Sequence, residues 1–210
     1  MKLGILTSPN QWFEKYAVEL SEKLNGVFIY TDDSSIDQHL DILFILGYHR
    51  IVGQHILDKN NYNIVIHESA LPIGKGWAPL FWQIFAGENT IPFSMLEAQS
   101  AVDAGPIYMQ RSLVLTGYEL NSELREKQAQ LTIDMCVEFA TNMEAYLPPI
   151  EQTGDESFYR KRSPSDSKLD LNKSIKEQFN LLRIAENTEY PAYFEIDGHE
   201  YVLKIEKKQV

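Results

Sequence analysis

Cysteine is nearly absent: Cys136 is the single one in 210 residues. A disulfide within the chain is excluded, which fits a reducing compartment, and a cytoplasmic location is expected. Cys136 stands in the helical-looking stretch LTIDMCVEFA and reads as a small buried hydrophobe. No group of His, Cys and carboxylates has zinc spacing, so no metal is expected. His39, His55 and His199 stand in polar surroundings without a ligand partner. Long apolar runs are missing too, and the apolar part of MKLGILTSPNQ is too short for a signal peptide, so no membrane segment is expected. Basic residues are in deficit: 19 Lys and Arg face 30 Asp and Glu, a net charge of −11. Gripping a phosphate backbone by counterion release calls for the opposite balance, so nucleic acid is not expected as the main partner. There is no GxGxxG and no Walker A loop, hence no indication of a nicotinamide or P-loop site. Repeats and low-complexity tracts are also lacking.

The residues that are present support one sizeable core, with 44% hydrophobic content. Apolar, β-branched runs predict strands over 3–7, 27–30, 41–46 and 63–67. Helices are predicted over 11–24, where Trp12, Tyr16, Leu20 and Leu24 repeat every four residues, and over 52–58. DILFIL (41–46) is apolar throughout, as a strand of a parallel sheet covered on both faces should be. A helix over 77–86, strands over 93–97 and 107–115, and a long helix over 119–145 follow, closed by Leu147-Pro148-Pro149. This is an α/β pattern. Beyond it come the polar stretch 154–168, a predicted helix over 172–185, and a hairpin of 192–196 with 201–205 turned by Asp197-Gly198. The expected division is a domain over 1–150 and a small α+β extension over 151–210.

The stretch 63–83, NIVIHESALPIGKGWAPLFWQ, concentrates the chemistry. Open parallel sheets bind ligands beyond the carboxyl ends of their strands. Two strands end there, one in Gly47-Tyr48-His49 and one in His67-Glu68-Ser69. A histidine directly after Ile-Val-Ile needs a buried partner or a use as general acid or base, and both readings stand. Lys75 either belongs to an ordinary strand-to-helix connection or holds an anionic ligand. Asp103, in Val102-Asp103-Ala104-Gly105, is either a turn former or a functional carboxylate.

The ordered set His67, Ser69, Leu71-Pro72, Lys75-Gly76, Pro79 and Trp82, followed by Val102-Asp103-Ala104-Gly105, resembles the folate-dependent formyltransferases. Their hallmark is Asn-x-His at a strand end, a Ser-Leu-Leu-Pro loop, a basic-Gly-x-x-Pro stretch, a Trp on the next helix and a later catalytic Asp. The match is good over 40–115, and RSPSDS, FNLLR and YPA in the tail resemble the segment that follows the catalytic domain. The resemblance implies a Rossmann-like α/β domain with a mostly parallel sheet. It implies transfer of the formyl group of N10-formyltetrahydrofolate to a primary amine, with His67, Asp103 and Ser69 catalytic. Leu46, Gly47, Tyr48, His49, Val102 and Asp103 would face the folate, and Lys75, Gly76, Trp77 and Phe81 the acceptor. Arg160, Lys161 and Arg162 are further candidates for a nucleotide diphosphate.

One departure stands out. The family's Asn falls on Val65, which cannot donate a hydrogen bond, and Asn63 lies two residues back on the same face. The short acidic chain is most similar to small N-formyltransferases of bacterial surface-sugar pathways. The acceptor this implies is a nucleotide-linked amino sugar, in the pseudaminic acid branch a UDP-linked 2-acetamido-4-amino-4,6-dideoxy-altrose. The alternatives are a catalytically silent folate- or nucleotide-sugar-binding protein, and a formyltransferase acting on another amine such as a dTDP-amino sugar or methionyl-tRNA. The C-terminal hairpin has a form that can complete a neighbour's sheet, so homodimerisation is an open expectation.

Overall fold

A computed structural model describes residues 1–208. Four short strands, β1 (Leu3–Leu6), β2 (Phe28–Tyr30), β3 (Ile42–Ile45) and β4 (Tyr62–His67), pair in parallel. After the two-residue strand β5 (Lys75–Gly76) come β6 (Thr90–Glu97) and β7 (Ile107–Val114). β6 runs antiparallel to β4, and β7 antiparallel to β6, giving the six-stranded order β2-β1-β3-β4-β6-β7. The mostly parallel α/β sheet expected from the strand pattern is present.

Alternation along the strands sorts side chains into two layers. Ile5, Ile42, Phe44 and Ile64 join one core with α1 (Glu14–Lys23), α3 (Pro79–Ala86) and α4 (Asn121–Asn142). Leu6, Leu43 and Ile45 join a second, smaller one with Ile36, Leu40 and α2 (Gln54–Leu57); Val65 packs at its edge. Every residue of β3 is buried for this reason. Cys136 lies fully buried on α4, and burial pushes its thiol well above the ordinary range, as an inert core residue should be.

Three elements differ from expectation. The first helix starts at Glu14, so Trp12 lies ahead of it and is free of the helical stripe. Helix α3 starts at Pro79, leaving Trp77 half-exposed in the loop before it. The helix expected over 172–185 shrinks to α5 (Phe179–Ile184). Side chains there bond the backbone instead: Asp170 accepts from Asn172 N–H, Glu177 from Ser174 N–H, and Gln178 donates to the Asp170 and Lys173 carbonyls. Such local bonds compete with helix formation.

The tail also reaches back into the first 150 residues. β8 (Phe158–Tyr159) pairs in parallel with β5. Arg183 on α5 is fully buried, donates to Asn89 Oδ1 at 2.9 Å and lies 3.7 Å from Glu119. The hairpin of β9 (Ala192–Ile196) and β10 (His199–Leu203) turns at Asp197-Gly198 as expected, both at positive φ; this two-residue turn pairs His199 with Ile196, so the second strand starts two residues before the expected 201.

Candidate active site

His67 ends β4 and is 6% exposed. Its Nε2 lies 2.8 Å from the Gly74 carbonyl, so that nitrogen donates. Its Nδ1 faces Asp103 Oδ1 at 3.5 Å, an ion-pair contact longer than a hydrogen bond.

Asp103 is held from several sides. Its other oxygen, Oδ2, accepts from Gly76 N–H at 2.9 Å. Its backbone sits at φ 53°, a left-handed conformation that Asp tolerates better than most residues. The turn is locked beside β6: a Cβ on Gly105 would stand 1.8 Å from the Glu97 carbonyl oxygen. Gln152, from the segment after α4, donates to the carbonyls of Asp103 and Gly105, both at 2.8 Å. Gly76 is equally constrained, at φ 94° with the Tyr159 carbonyl 2.5 Å from where a Cβ would be. The pairing of β5 with β8 thus positions the N–H that orients Asp103.

His67 and Asp103 line a cavity of about 610 Å³. The end of β4 divides it. On the side of Val65, Val52, Leu57, Tyr48 and Ala98 pack in the same cluster and Leu96 stands opposite it in β6; Val102 and the loop Gly47-Tyr48-His49 also line the cavity. That loop is braced: Ser8 Oγ accepts from His49 N–H at 3.1 Å and contacts His49 Nδ1 at 2.5 Å, and Tyr48 donates to Asp33 at 2.9 Å. On the side of Ile66, the walls are Trp12, Phe81, Glu68, Gln128 and Arg125. Glu97 closes the floor, accepting from Asn63 N–H and Tyr108 OH; burial raises its carboxyl above the ordinary range.

The expected site residues are only partly brought together. Gly47, Tyr48, His49, Val102, Asp103, Gly76, Trp77 and Phe81 reach the cavity with His67. Leu46 lies in the core beneath the loop. Ser69 sits behind His67, 2% exposed, with its Oγ unbonded among the described residues, and outside the cavity lining. Lys75 faces away from the cavity: it is 3% exposed and paired with Glu156 at 2.5 Å. Glu156, just ahead of β8, draws the amine away, and only the Gly76 backbone lines the cavity from this strand. Arg160, Lys161 and Arg162 stack over Trp82, Trp77 and Phe81 at 4.8, 5.0 and 6.0 Å, and Arg160 is also paired with Asp166. Asn63 does not substitute for the missing family Asn: its Nδ2 donates to Leu57 O and Glu97 Oε1. Sequence reasoning missed Trp12, Glu68, Arg125, Gln128 and Gln152. A polar Glu68 directly after the buried histidine was the one available signal.

The mostly parallel α/β sheet thus places a His–Asp pair in a cavity at the end of β4. The chain belongs to the Formyl transferase family, whose sequence profile matches residues 30–138, just over half of its length. A methionyl-tRNA formyltransferase of Thermodesulfovibrio yellowstonii is 25% identical over 145 residues, covering 68% of this chain and 47% of the relative. The chain thus spans about half the length of that curated relative. Among solved structures, a methionyl-tRNA formyltransferase from Clostridium thermocellum matches with TM-score 0.82 at 18% identity, over 100% of this chain and 94% of that one. HypX from Aquifex aeolicus in complex with tetrahydrofolic acid matches with TM-score 0.78 at 17% identity, over 98% and 37%. A sugar N-formyltransferase from Shewanella sp FDAARGOS_354 matches with TM-score 0.72 at 15% identity, over 100% and 99%. These likenesses establish the shared fold. No described helix is long and apolar enough to cross a membrane.

Proposed function

We propose that the protein is an N-formyltransferase that moves the formyl group of N10-formyltetrahydrofolate to the primary amine of a nucleotide-linked amino sugar. The observation that carries this is the buried His67–Asp103 pair lining the cavity of a chain in the Formyl transferase family. The apolar walls Val52, Leu57, Val65, Leu96, Ala98 and Val102 suit a flat heterocycle. A structural neighbour holding tetrahydrofolic acid supports a folate as the donor.

The donor supplies an activated formyl carbon. The amine nitrogen bonds to that carbon, the bond from carbon to N10 breaks, and the proton lost by the amine ends on the departing nitrogen. His67 Nδ1 is the nitrogen free for this traffic, since Nε2 is held by Gly74 O. Asp103 Oδ1 stabilises the ring when it carries the proton, while Gly76 N–H holds the carboxylate in place. Charge developing on the formyl oxygen falls to His67 as well, because Val65 offers no donor and Asn63 is committed elsewhere.

Within this reading the acceptor is a UDP-linked 4-amino-4,6-dideoxy sugar of the N-acetyl-altrosamine type. The net charge of −11 weighs against methionyl-tRNA, the acceptor in the relative's name. Incubating the protein with N10-formyltetrahydrofolate and a panel of UDP- and dTDP-linked amino sugars tests it. Addition of one formyl group to one panel member is expected by mass spectrometry. His67→Ala and Asp103→Ala should each lower that rate by about 10²–10⁴ in protein that circular dichroism shows to be folded. Near-normal turnover in either variant would remove the mechanism. Val65 favours a second reading, a binding protein without catalysis. Folate binding with no formylated product across the panel would establish that one instead.

A further inference from the structure

Arg125 lines the Ile66 side of the cavity, on the first turns of α4. Its guanidinium lies between two aromatic rings, 4.4 Å from the centre of Phe81 and 5.3 Å from that of Trp12. One nitrogen donates to Gln128 Oε1 at 2.9 Å. Gln128 is 2% exposed and its amide nitrogen donates to Glu68 Oε1 at 2.5 Å. Both ends of that amide are therefore used, and Gln128 fixes the guanidinium while keeping it one amide away from the Glu68 carboxylate. Among the described residues Arg125 forms no ion pair and bonds no other side chain. Arg50, the other arginine of the cavity wall, is paired with Asp32 and Asp33. Lys75, which the sequence offered for an anion, is paired outside the cavity.

A half-buried guanidinium that lines a cavity, fixed by one hydrogen bond and two rings and with N–H groups left over, is an arrangement that an anionic ligand completes. Burial lowers Arg125 to about 10, which leaves it charged at neutral pH. Its planar fork matches phosphate oxygens in pairs. The opposite, Val65 side of the cavity is apolar and suits the donor's ring, so an anion at Arg125 belongs with the second substrate.

We propose that Arg125 is the anion anchor of the acceptor subsite and that it holds the diphosphate of a nucleotide-linked acceptor, with Gln128 and Glu68 as its positioning residues. This assignment rests on the reading of the cavity as a formyl-transfer site, and it names the group by which the acceptor is recognised. The same guanidinium chemistry would hold a carboxylate of the donor's glutamate tail, so the test separates the two sources.

Equilibrium binding of UDP, dTDP and 5-formyltetrahydrofolate is measured by calorimetry on the full chain and on Arg125→Met. The variant should bind the nucleoside diphosphate about 10- to 100-fold more weakly, with folate affinity unchanged. Lys75→Met serves as the control and should leave diphosphate binding as in the wild type. Arg125→Lys keeps the charge and most of the stem, so it guards against misfolding; losing the fork should still weaken the diphosphate several-fold. Weakening of folate instead of nucleotide, or wild-type protein that binds neither diphosphate, overturns the assignment. Nucleotide binding is read without catalysis. A chain that binds the diphosphate through Arg125 yet formylates nothing therefore retires formyl transfer and leaves the anchor standing, whereas transfer that is indifferent to Arg125→Met retires the anchor alone.

Discussion

His67 has two ring nitrogens, and the protein treats them differently. Nε2 is tied to the Gly74 carbonyl at 2.8 Å, while Nδ1 faces Asp103 across 3.5 Å. The tied nitrogen sets the ring plane, and the looser one is where a proton can enter or leave. Two residues before it on the same strand face, Val65 puts a methyl-bearing surface where the family carries an amide. An oxyanion donor is commonly worth about 10²–10³ in rate, so Val65→Asn should raise the formyl-transfer rate by a factor approaching that range. The measurement is kcat with the folate affinity followed in parallel. An unchanged or lower kcat in a folded variant would show that the site has no vacancy for a donor at that position.

At the scale of elements, the turn before α4 is a small electrostatic device. Burial pulls Glu119 up, but the backbone N–H groups of Thr116 and Gly117 overcome it and hold the carboxyl at about 2. Lys127 and the buried Arg183 both stand 3.7 Å away, so this one carboxylate links α4 to α5. The folded value lies below the ordinary glutamate range. Its contribution to stability is therefore complete above about pH 4.5 and is lost as the pH falls toward 2. The urea midpoint of the wild type should drop between about pH 5 and pH 3 by more than that of Glu119→Gln, which has no such proton to take up. Parallel pH profiles for the two proteins would show that Glu119 is not the group responsible.

At the scale of the molecule, net charge sets the long-range field. With 30 acidic and 19 basic side chains the chain repels a polyanion at long range. Three of its tail basics are also paired: Arg160 with Asp166, Lys168 with Glu195 and Lys207 with Glu123. A gel shift at low salt should show no complex with tRNA. A complex that weakens steeply with salt would return methionyl-tRNA to the candidates. The tail serves the site in another way. β8 pairs with β5 beside Asp103, Gln152 braces the turn of Asp103, and the basic run 160–162 stacks over the rings of Trp82, Trp77 and Phe81.

Much of this was legible in the residues themselves. Apolar runs of strand length located β1, β3, β4, β6 and β7, and Asp197-Gly198 marked the hairpin, because periodicity and turn chemistry are local properties. His67 and Asp103 could be singled out from ordered motifs, as could the departure at Val65. The helix expected over 172–185 could not be resolved that way, since its apolar spacing competes with Asp170, Ser174 and Gln178 bonding the local backbone. Lys75 and Arg125 mark the remaining boundary. By type and place in a loop Lys75 was the better anion holder, yet the pairing of β5 with β8 turns it to Glu156 and gives the cavity side to Gly76. Arg125 was one charged residue among many on a long helix until α4 packed beside Trp12 and Phe81. The sequence by itself determined most of the elements, which depend on residue type and short spacing, and it pointed to His67 and Asp103 through the resemblance of its motifs. Only the tertiary structure decided which charges face the cavity, because that depends on side-chain direction and on partners distant in the chain.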